Sequence, residues 1–541
     1  MRTWPAVPLR SRPAALPYVS AGLRASVKDQ VVASLPIVIV LYAIVIAAYF
    51  VLRYAGQWAE GDTAAITLAI RSMWETGELV PHTGLVYPSG YGHTAVSIMI
   101  LAFTGMSIDT LQQIVGPLMA ALLVLPALAL YRELTSSNRT ALIAVVLLLI
   151  QPEFLFVVLR GSHERTLRLL MLMALLLLVR SFRYRSQPAA YVAHVLLFYL
   201  TVYALIATNI LFGFSFIVAI AIVVVTVWLW SSWFPRVWGG LPALSGRLTF
   251  ITIAVLIIGF TFIFYMYDPA KMTLQAFNGI LNKLAALLLT TQATSSPYQT
   301  VTGGWVSLPV YFLLSSGTYL LILGSIVVWA RQGYLWLRGA ARPAGPGQAL
   351  LWLLYTGFAV QGMLAAVSDL TGNAMNNLQL RSFPSFAMLA APMLATGLAE
   401  WRPWPSLRLA TGVLVGMLAA CALLKATNDP LVSNQWTFYT RDEMTAMRWV
   451  DAHSEHTHIW TGPNERVTAG YSVEHGPSLA GNVWVGTPEV RTVRVAVLSD
   501  LLYLQSVRLR QALPPAVAGS RVYDNGAVQV YRAVPTSPYQ R

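Results

Sequence analysis

Two carboxylates, Glu60 and Asp62, stand two positions apart in the segment WAEGDTAAI. At that spacing they can share a divalent cation, or divide the roles of ligand and general base. The same pair could equally form a solvated turn that caps the AAITLAI helix behind it. Much further along, PEFLFVVLRGSHERTLRLL crowds Glu153, Arg160, His163, Glu164, Arg165 and Arg168 around one short turn between two apolar runs. His163 and Glu164 could complete a metal or acid–base site with Asp62, giving Asp62 and Glu164 as the candidate metal ligands. Arg160 or Arg165 could hold a phosphate as a bidentate fork, although Arg165 and Arg168 could also only snorkel toward lipid headgroups.

Other polar residues are candidates of a second rank. YPSGYGH, from Tyr87 to His93, combines aromatic faces with turn residues and suits a sugar or a lipid headgroup, or simply folds its loop back. Arg381, in NNLQLRSFPSF, is a candidate partner for a lipid phosphate, with headgroup anchoring as the competing role. Lys271 and Lys283 are weaker candidates of that kind. His453, His456 and His458 resemble a metal cluster but fall where a solvated polar turn is expected. No Walker loop, GxSxG elbow or HExxH segment occurs, so ATP-driven transport, serine hydrolysis and zincin-type proteolysis have no local signature.

The elements that must position these groups follow from composition. Of 541 residues, 56% are apolar and 11% charged, with a mean hydropathy of +0.61. A soluble chain carries about 25% charged residues, so the bulk of this chain is built for lipid. The net charge of +14 is spread between apolar runs rather than gathered on one soluble face, which argues against nucleic acid as partner. The single Cys421 lies inside an apolar run and excludes a disulfide framework.

Hydropathy gives eleven spans, near 34–52, 111–131, 140–159, 166–181, 190–207, 210–230, 248–267, 306–330, 348–367, 383–399 and 406–425. Arg2, Arg10, Arg12, Arg24 and Lys28 precede the first run, which is longer than a signal-peptide core. Lys and Arg concentrate in the loops that then lie on the N-terminal side, the positive-inside pattern. Before the tail, only Asp29, Glu133 and Glu400 among the acidic residues share that side. The N-terminus is therefore expected in the cytoplasm of a plasma-membrane protein, with the chemistry facing outward. Thr94 to Gly105 is apolar but too short to span, and is expected as an interfacial or re-entrant helix inside a long first outer loop, 53–110. A second outer loop holds the amphipathic stretch AFNGILNKLAALLL.

From about Thr427 the pattern turns mixed. Arg441 to His453 reads as a helix capped by Thr440, His458 to Thr461 as a strand, Val495 to Leu513 as a second helix, and RVYDNGAVQVYRA as a hairpin about Asn525-Gly526. The expected fold is a polytopic α-helical membrane protein of about eleven transmembrane helices, residues 1–426, followed by a small C-terminal extracytoplasmic α/β domain, residues 427–541.

The acidic motif at Glu60–Asp62 just after the first span, the long first outer loop, the many spans and the outer α/β domain together resemble the C-type glycosyltransferase superfamily. Pro152 to Leu170 is similar to the catalytic subunit of oligosaccharyltransferase, where an Arg, a Gly and a short acidic motif lie between the third and fourth spans. The resemblance makes Asp62 the first acidic motif and Glu164 the second. Ser162 stands where a second carboxylate is expected, and HIWTGPNERVTAGYSVEHG stands where the oligosaccharyltransferase carries WWDYG, so sequon reading is not implied.

On that resemblance the chain is expected to be an inverting hexosyl- or pentosyltransferase. It would move a sugar from a polyprenyl-phosphate-linked donor to a glycan, lipid or protein acceptor on the outer face. Asp62, Glu60, Glu164 and His163 would carry the chemistry. Arg160, Arg165, Arg381, His93 and Tyr87 would hold the substrates, with a divalent cation (Mg or Mn) as the one candidate cofactor. A flippase or transporter of a lipid-linked substrate is the competing class, but no paired halves are visible in the sequence. A purely structural protein would leave the Glu60/Asp62 and Arg160–Arg165 clusters without a role.

Overall fold

The computed structural model describes residues 27–54, 61–82, 89–233, 246–271, 308–341, 345–369, 378–400, 405–427, 440–454, 459–460, 483–484, 494–500 and 519–533, with Tyr87 and a few other single positions. Glu60, Lys283, His456, His458 and most of the stretch AFNGILNKLAALLL lie outside them, and Asp62 is described through its backbone alone.

The helices are α1 (Val27–Tyr54), α2 (Gly61–Thr76), α3 (Gly92–Thr104), α4 (Ile108–Thr135), α5 (Asn138–Leu149), α6 (Pro152–Leu159), α7 (Glu164–Arg183), α8 (Pro188–Thr208), α9 (Ile210–Trp233), α10 (Gly246–Met266), α11 (Leu308–Leu314), α12 (Ser316–Leu337), α13 (Pro346–Asp369), α14 (Leu378–Glu400), α15 (Pro405–Thr427) and α16 (Arg441–His453). Among the described residues, eight helices are long and apolar enough to cross a membrane, or nine if one bent pair is a single span. Most expected spans fall on one helix, 140–159 and 306–330 on two, and two of the differences from the expected eleven spans shape the site.

The expected third span is broken. α5 and α6 meet at 75° because Pro152 has no N–H to continue the ladder and biases the residue before it away from helix; Gln151 is extended, at φ −95° and ψ 111°. Its side-chain amide Nε2 turns back and donates to the Leu147 carbonyl at 2.8 Å, satisfying an acceptor at the break. The expected fourth span, α7, carries Glu164, Arg165, Arg168, Arg180 and Arg183. It is sheathed by other helices, packing most extensively on α8 and α4, so its first charged turn is buried. At its far end Glu133 holds Arg180 at 3.3 Å and also pairs with Arg183. α13 and α14 form the most enclosed part of the bundle, packed on α5, α9 and each other. As expected of a helix too short to span, α3 has 13 residues and ends on Gly105 in the left-handed conformation, φ 67°.

Beyond the bundle, α16 begins with a capping box: Glu443 N–H donates to Thr440 Oγ1 (3.1 Å), and Thr440 N–H donates to Glu443 Oε2 (3.0 Å). The strands β1 (Ile459–Trp460), β2 (Val483–Trp484), β3 (Val495–Ser499), β4 (Gly519–Asp524) and β5 (Val528–Ala533) form one sheet in the order β2-β1-β3-β5-β4. β1 pairs in parallel with β2 and β3, whereas β5 runs antiparallel to β3 and β4. The β4–β5 turn uses Gly526 at φ +88°. The helix expected over Val495–Leu513 is corrected at its start. VAVLS is a buried central strand, since its β-branched residues fit the pleat between two neighbours better than a helix. Met444, Ala446, Met447 and Val450 of α16 close a core with β1, β3 and β5, and that core includes Ala64 and Leu68 of α2. The sheet unit is thus docked on the helix that opens with the first acidic motif.

Candidate functional site

The site grows from the turn between α6 and α7. Arg160 leaves the helix with extended geometry, φ −65° and ψ 155°. Ser162 Oγ then accepts from Glu164 N–H at 3.3 Å, so the serine found in place of a second carboxylate helps start α7. Arg165 turns back: its Nη2 donates to the carbonyls of Leu159 (3.2 Å) and of Arg160 (2.6 Å), the latter also accepting from Ser162 N–H at 2.8 Å. That guanidinium lies against Gly116, after a π-turn at Leu111–Val115, and a Cβ at Gly116 would overlap it. Arg165 therefore shapes the turn through Nη2, one group of the fork that the sequence offers to phosphate.

Arg160 Nη2 lies 3.3 Å from Glu164 Oε2, with both side chains only 4% exposed. Its guanidinium also covers the Phe156 ring at 4.7 Å. Fully buried Arg168 donates to Ser385 Oγ and, at 3.1 Å, to the carbonyl of Arg381, bringing the start of α14 to the same place. Arg381 itself is only partly buried. The N-terminus of α14 is held from α13, where the Asp369 carboxylate accepts from the N–H groups of Leu378 (2.8 Å) and Gln379 (2.9 Å).

His163 completes the turn. Its ring lies 4.9 Å from that of Tyr87 and 6.5 Å from that of Phe212, and Asn209 Nδ2 donates to its Nε2 at 2.8 Å. Burial holds His163 well below the ordinary histidine value, and Arg160, Arg381 and Arg168 push the same way. His93, at the start of α3, contacts Thr166 Oγ1 through Nδ1 at 2.9 Å; burial, then Arg165 and His163, lower it too. Tyr87 is fixed by its carbonyl, which accepts from the Tyr267 hydroxyl.

The turn that carries Glu164 also touches α2. Gly161 is packed so closely on α2 that a Cβ would overlap Thr63 Cγ2 and lie 3.2 Å from Thr63 Oγ1. Thr63 directly follows Asp62, so the backbone of the first motif abuts the Arg160–Glu164 turn. The structure thus gathers His163, Glu164, Arg160, Arg165, Arg381, His93 and Tyr87 about one turn, and that turn touches α2 at Thr63. Other candidates lie elsewhere. Lys271 forms an exposed pair with Asp268 at 2.6 Å, and His453 caps the exposed end of α16 through the Trp449 carbonyl at 2.8 Å. Glu153 belongs to a separate cluster, 2.7 Å from Lys425 Nζ and hydrogen-bonded to Thr318, with Lys425 also donating to Ser315 at 2.8 Å.

Among the described residues no three His, Cys, Asp or Glu groups converge as a metal site would require. Glu164 is engaged by Arg160, and the side chains of Glu60 and Asp62 lie outside the described ones. Asn209 was not singled out in the sequence, although it was visible as a polar residue in the two-residue gap between two long apolar runs.

No family model matches the sequence, and no curated relative does. The solved structures it resembles are distant in sequence and share its fold. The oligosaccharyltransferase of Archaeoglobus fulgidus in its apo form superposes with a TM-score of 0.55 at 12% identity, over 87% of this chain and 71% of that one. ArnT from Cupriavidus metallidurans bound to undecaprenyl phosphate gives 0.55 at 13% identity, over 92% and 98%. The archaeal enzyme, AglB, in complex with an inhibitory peptide and a dolichol-phosphate gives 0.54 at 13% identity, over 93% and 75%. All are C-type glycosyltransferases. The fold of this chain is the fold of that class of membrane enzymes, as the sequence resemblance implied.

Proposed function

We propose that this chain is an integral-membrane glycosyltransferase that moves a sugar from a polyprenyl-phosphate-linked donor to an acceptor on the outer face of the membrane. The observation that carries the reading is the Gly161–Thr63 contact, which sets the turn of Glu164 against the residue next to Asp62. The neighbours solved with undecaprenyl phosphate and dolichol-phosphate support a lipid-phosphate ligand in this fold. In this reading Asp62, with Glu60 beside it, accepts the proton of the acceptor hydroxyl. The freed oxygen attacks the anomeric carbon and the lipid phosphate leaves with the bonding pair, inverting that carbon. Arg160 and Arg381 stabilise the charge that develops on the phosphate. Tyr87 and His93 present an aromatic and polar face to the sugar. The domain boundary near residue 427, with the sheet unit outside the cell, is part of the same proposal.

A divalent cation bridging Asp62 and Glu164 would require Glu164 to exchange Arg160 for the metal. The mechanism therefore passes no step through one. The test is consumption of polyprenyl-phosphate-linked sugars by the purified protein with a membrane extract as acceptor. Wild type should consume donor, and Asp62→Ala should abolish consumption with its thermal melt unchanged. Donor binding without consumption by wild type would favour a flippase.

A further inference from the structure

Asn209 is the single residue joining α8 to α9, and both ends of its side-chain amide are committed. Phe212 N–H donates to its Oδ1 at 3.1 Å, capping α9, while its Nδ2 faces His163 Nε2 at 2.8 Å. The amide has no freedom to turn over, since the flipped form would set its NH2 against a backbone N–H. Nδ2 is thus the donor to His163, and a nitrogen that accepts carries no proton. The ring is therefore neutral with its hydrogen on Nδ1. An imidazolium would set N–H against N–H, in the company of Arg160 on its own turn, Arg168 on α7 and Arg381 on α14. His163 Nδ1 is buried, and no hydrogen-bond partner for it occurs among the described residues. A buried donor amid guanidinium groups is matched by an anionic oxygen.

We infer that Asn209 is a positioning residue: it locks His163 in the Nδ1–H tautomer, and that hydrogen is donated to an oxygen of the lipid phosphate. The inference rests on the proposed function for the identity of the anion, and on the hydrogen-bond geometry alone for the tautomer. With Nε2 engaged by Asn209 and Nδ1 protonated, the ring offers no lone pair to a metal.

The test uses the full-length protein in detergent with histidine labelled by nitrogen-15, the His163 signals being assigned with His163→Gln. Wild type should show a protonated Nδ1 and an unprotonated Nε2. Asn209→Asp keeps an oxygen to cap α9 but presents an acceptor to Nε2. It should move the ring proton to Nε2, lower kcat about 10- to 100-fold and raise the donor KM. Asn209→Ser keeps a cap without reaching the ring, and should give mixed tautomers with a smaller loss. A wild-type proton on Nε2, or an Asn209→Asp variant with the wild-type kcat, would overturn the inference. The expected tautomers in a wild type that transfers no sugar would instead overturn the proposed function and leave the lock standing.

Discussion

A carboxylate as enclosed as Glu164 is tolerable only beside a cation, and Arg160 supplies one at 3.3 Å. Removing one partner of a buried pair costs more than removing both, because the remaining charge stays desolvated. Glu164→Gln should therefore destabilise the protein by about 3 kcal/mol. The Arg160→Met/Glu164→Leu double variant should recover most of that in thermal melts yet remain inactive in donor turnover. His93 gives a pH signature. Its folded value is depressed, so the unfolded chain binds a proton first, and stability is lost as pH falls below about 6.5. His93→Gln should flatten the drop in melting temperature between about pH 7 and pH 5 without abolishing it, since His163 contributes in the same direction. The charged candidates at this turn were legible because ionisable residues between apolar runs are costly. Their division of labour was not. That Arg165 serves carbonyls while Arg160 faces a carboxylate depends on where α6 stops, which spacing alone does not give.

At the scale of elements, the site depends on a contact with no tolerance for a side chain. Gly161→Ala should push the turn away from α2 and lower kcat at least about tenfold, with little change in the melt. Thr63→Ser removes the methyl that a new Cβ would strike. Adding it to Gly161→Ala should restore part of the activity, a rescue measured on the same donor assay. Helix positions came readily from hydropathy, but the break at Gln151-Pro152 was read as continuous span because both halves are apolar. A proline within an apolar run can kink a helix or end it, and surrounding packing decides which. The VAVLS strand was missed for a related reason: helical periodicity downstream outweighed five residues that only a sheet context defines.

For the whole molecule, the sheet unit and the helical bundle share a core through Ala64 and Leu68 of α2. Met447→Asp, placed in that core, should reduce sugar transfer while leaving the bundle folded, seen as lower turnover with an unchanged main thermal transition. This coupling was invisible in the sequence, where α2 reads only as a loop helix and the tail as separate. The broken span has a consequence of another kind. α5 is 12 residues long, about 18 Å, against a hydrocarbon layer of about 30 Å. Most of its side chains are buried among neighbouring helices, so the shortfall faces protein rather than lipid, and the backbone groups freed at the Gln151-Pro152 break are shielded from hydrocarbon.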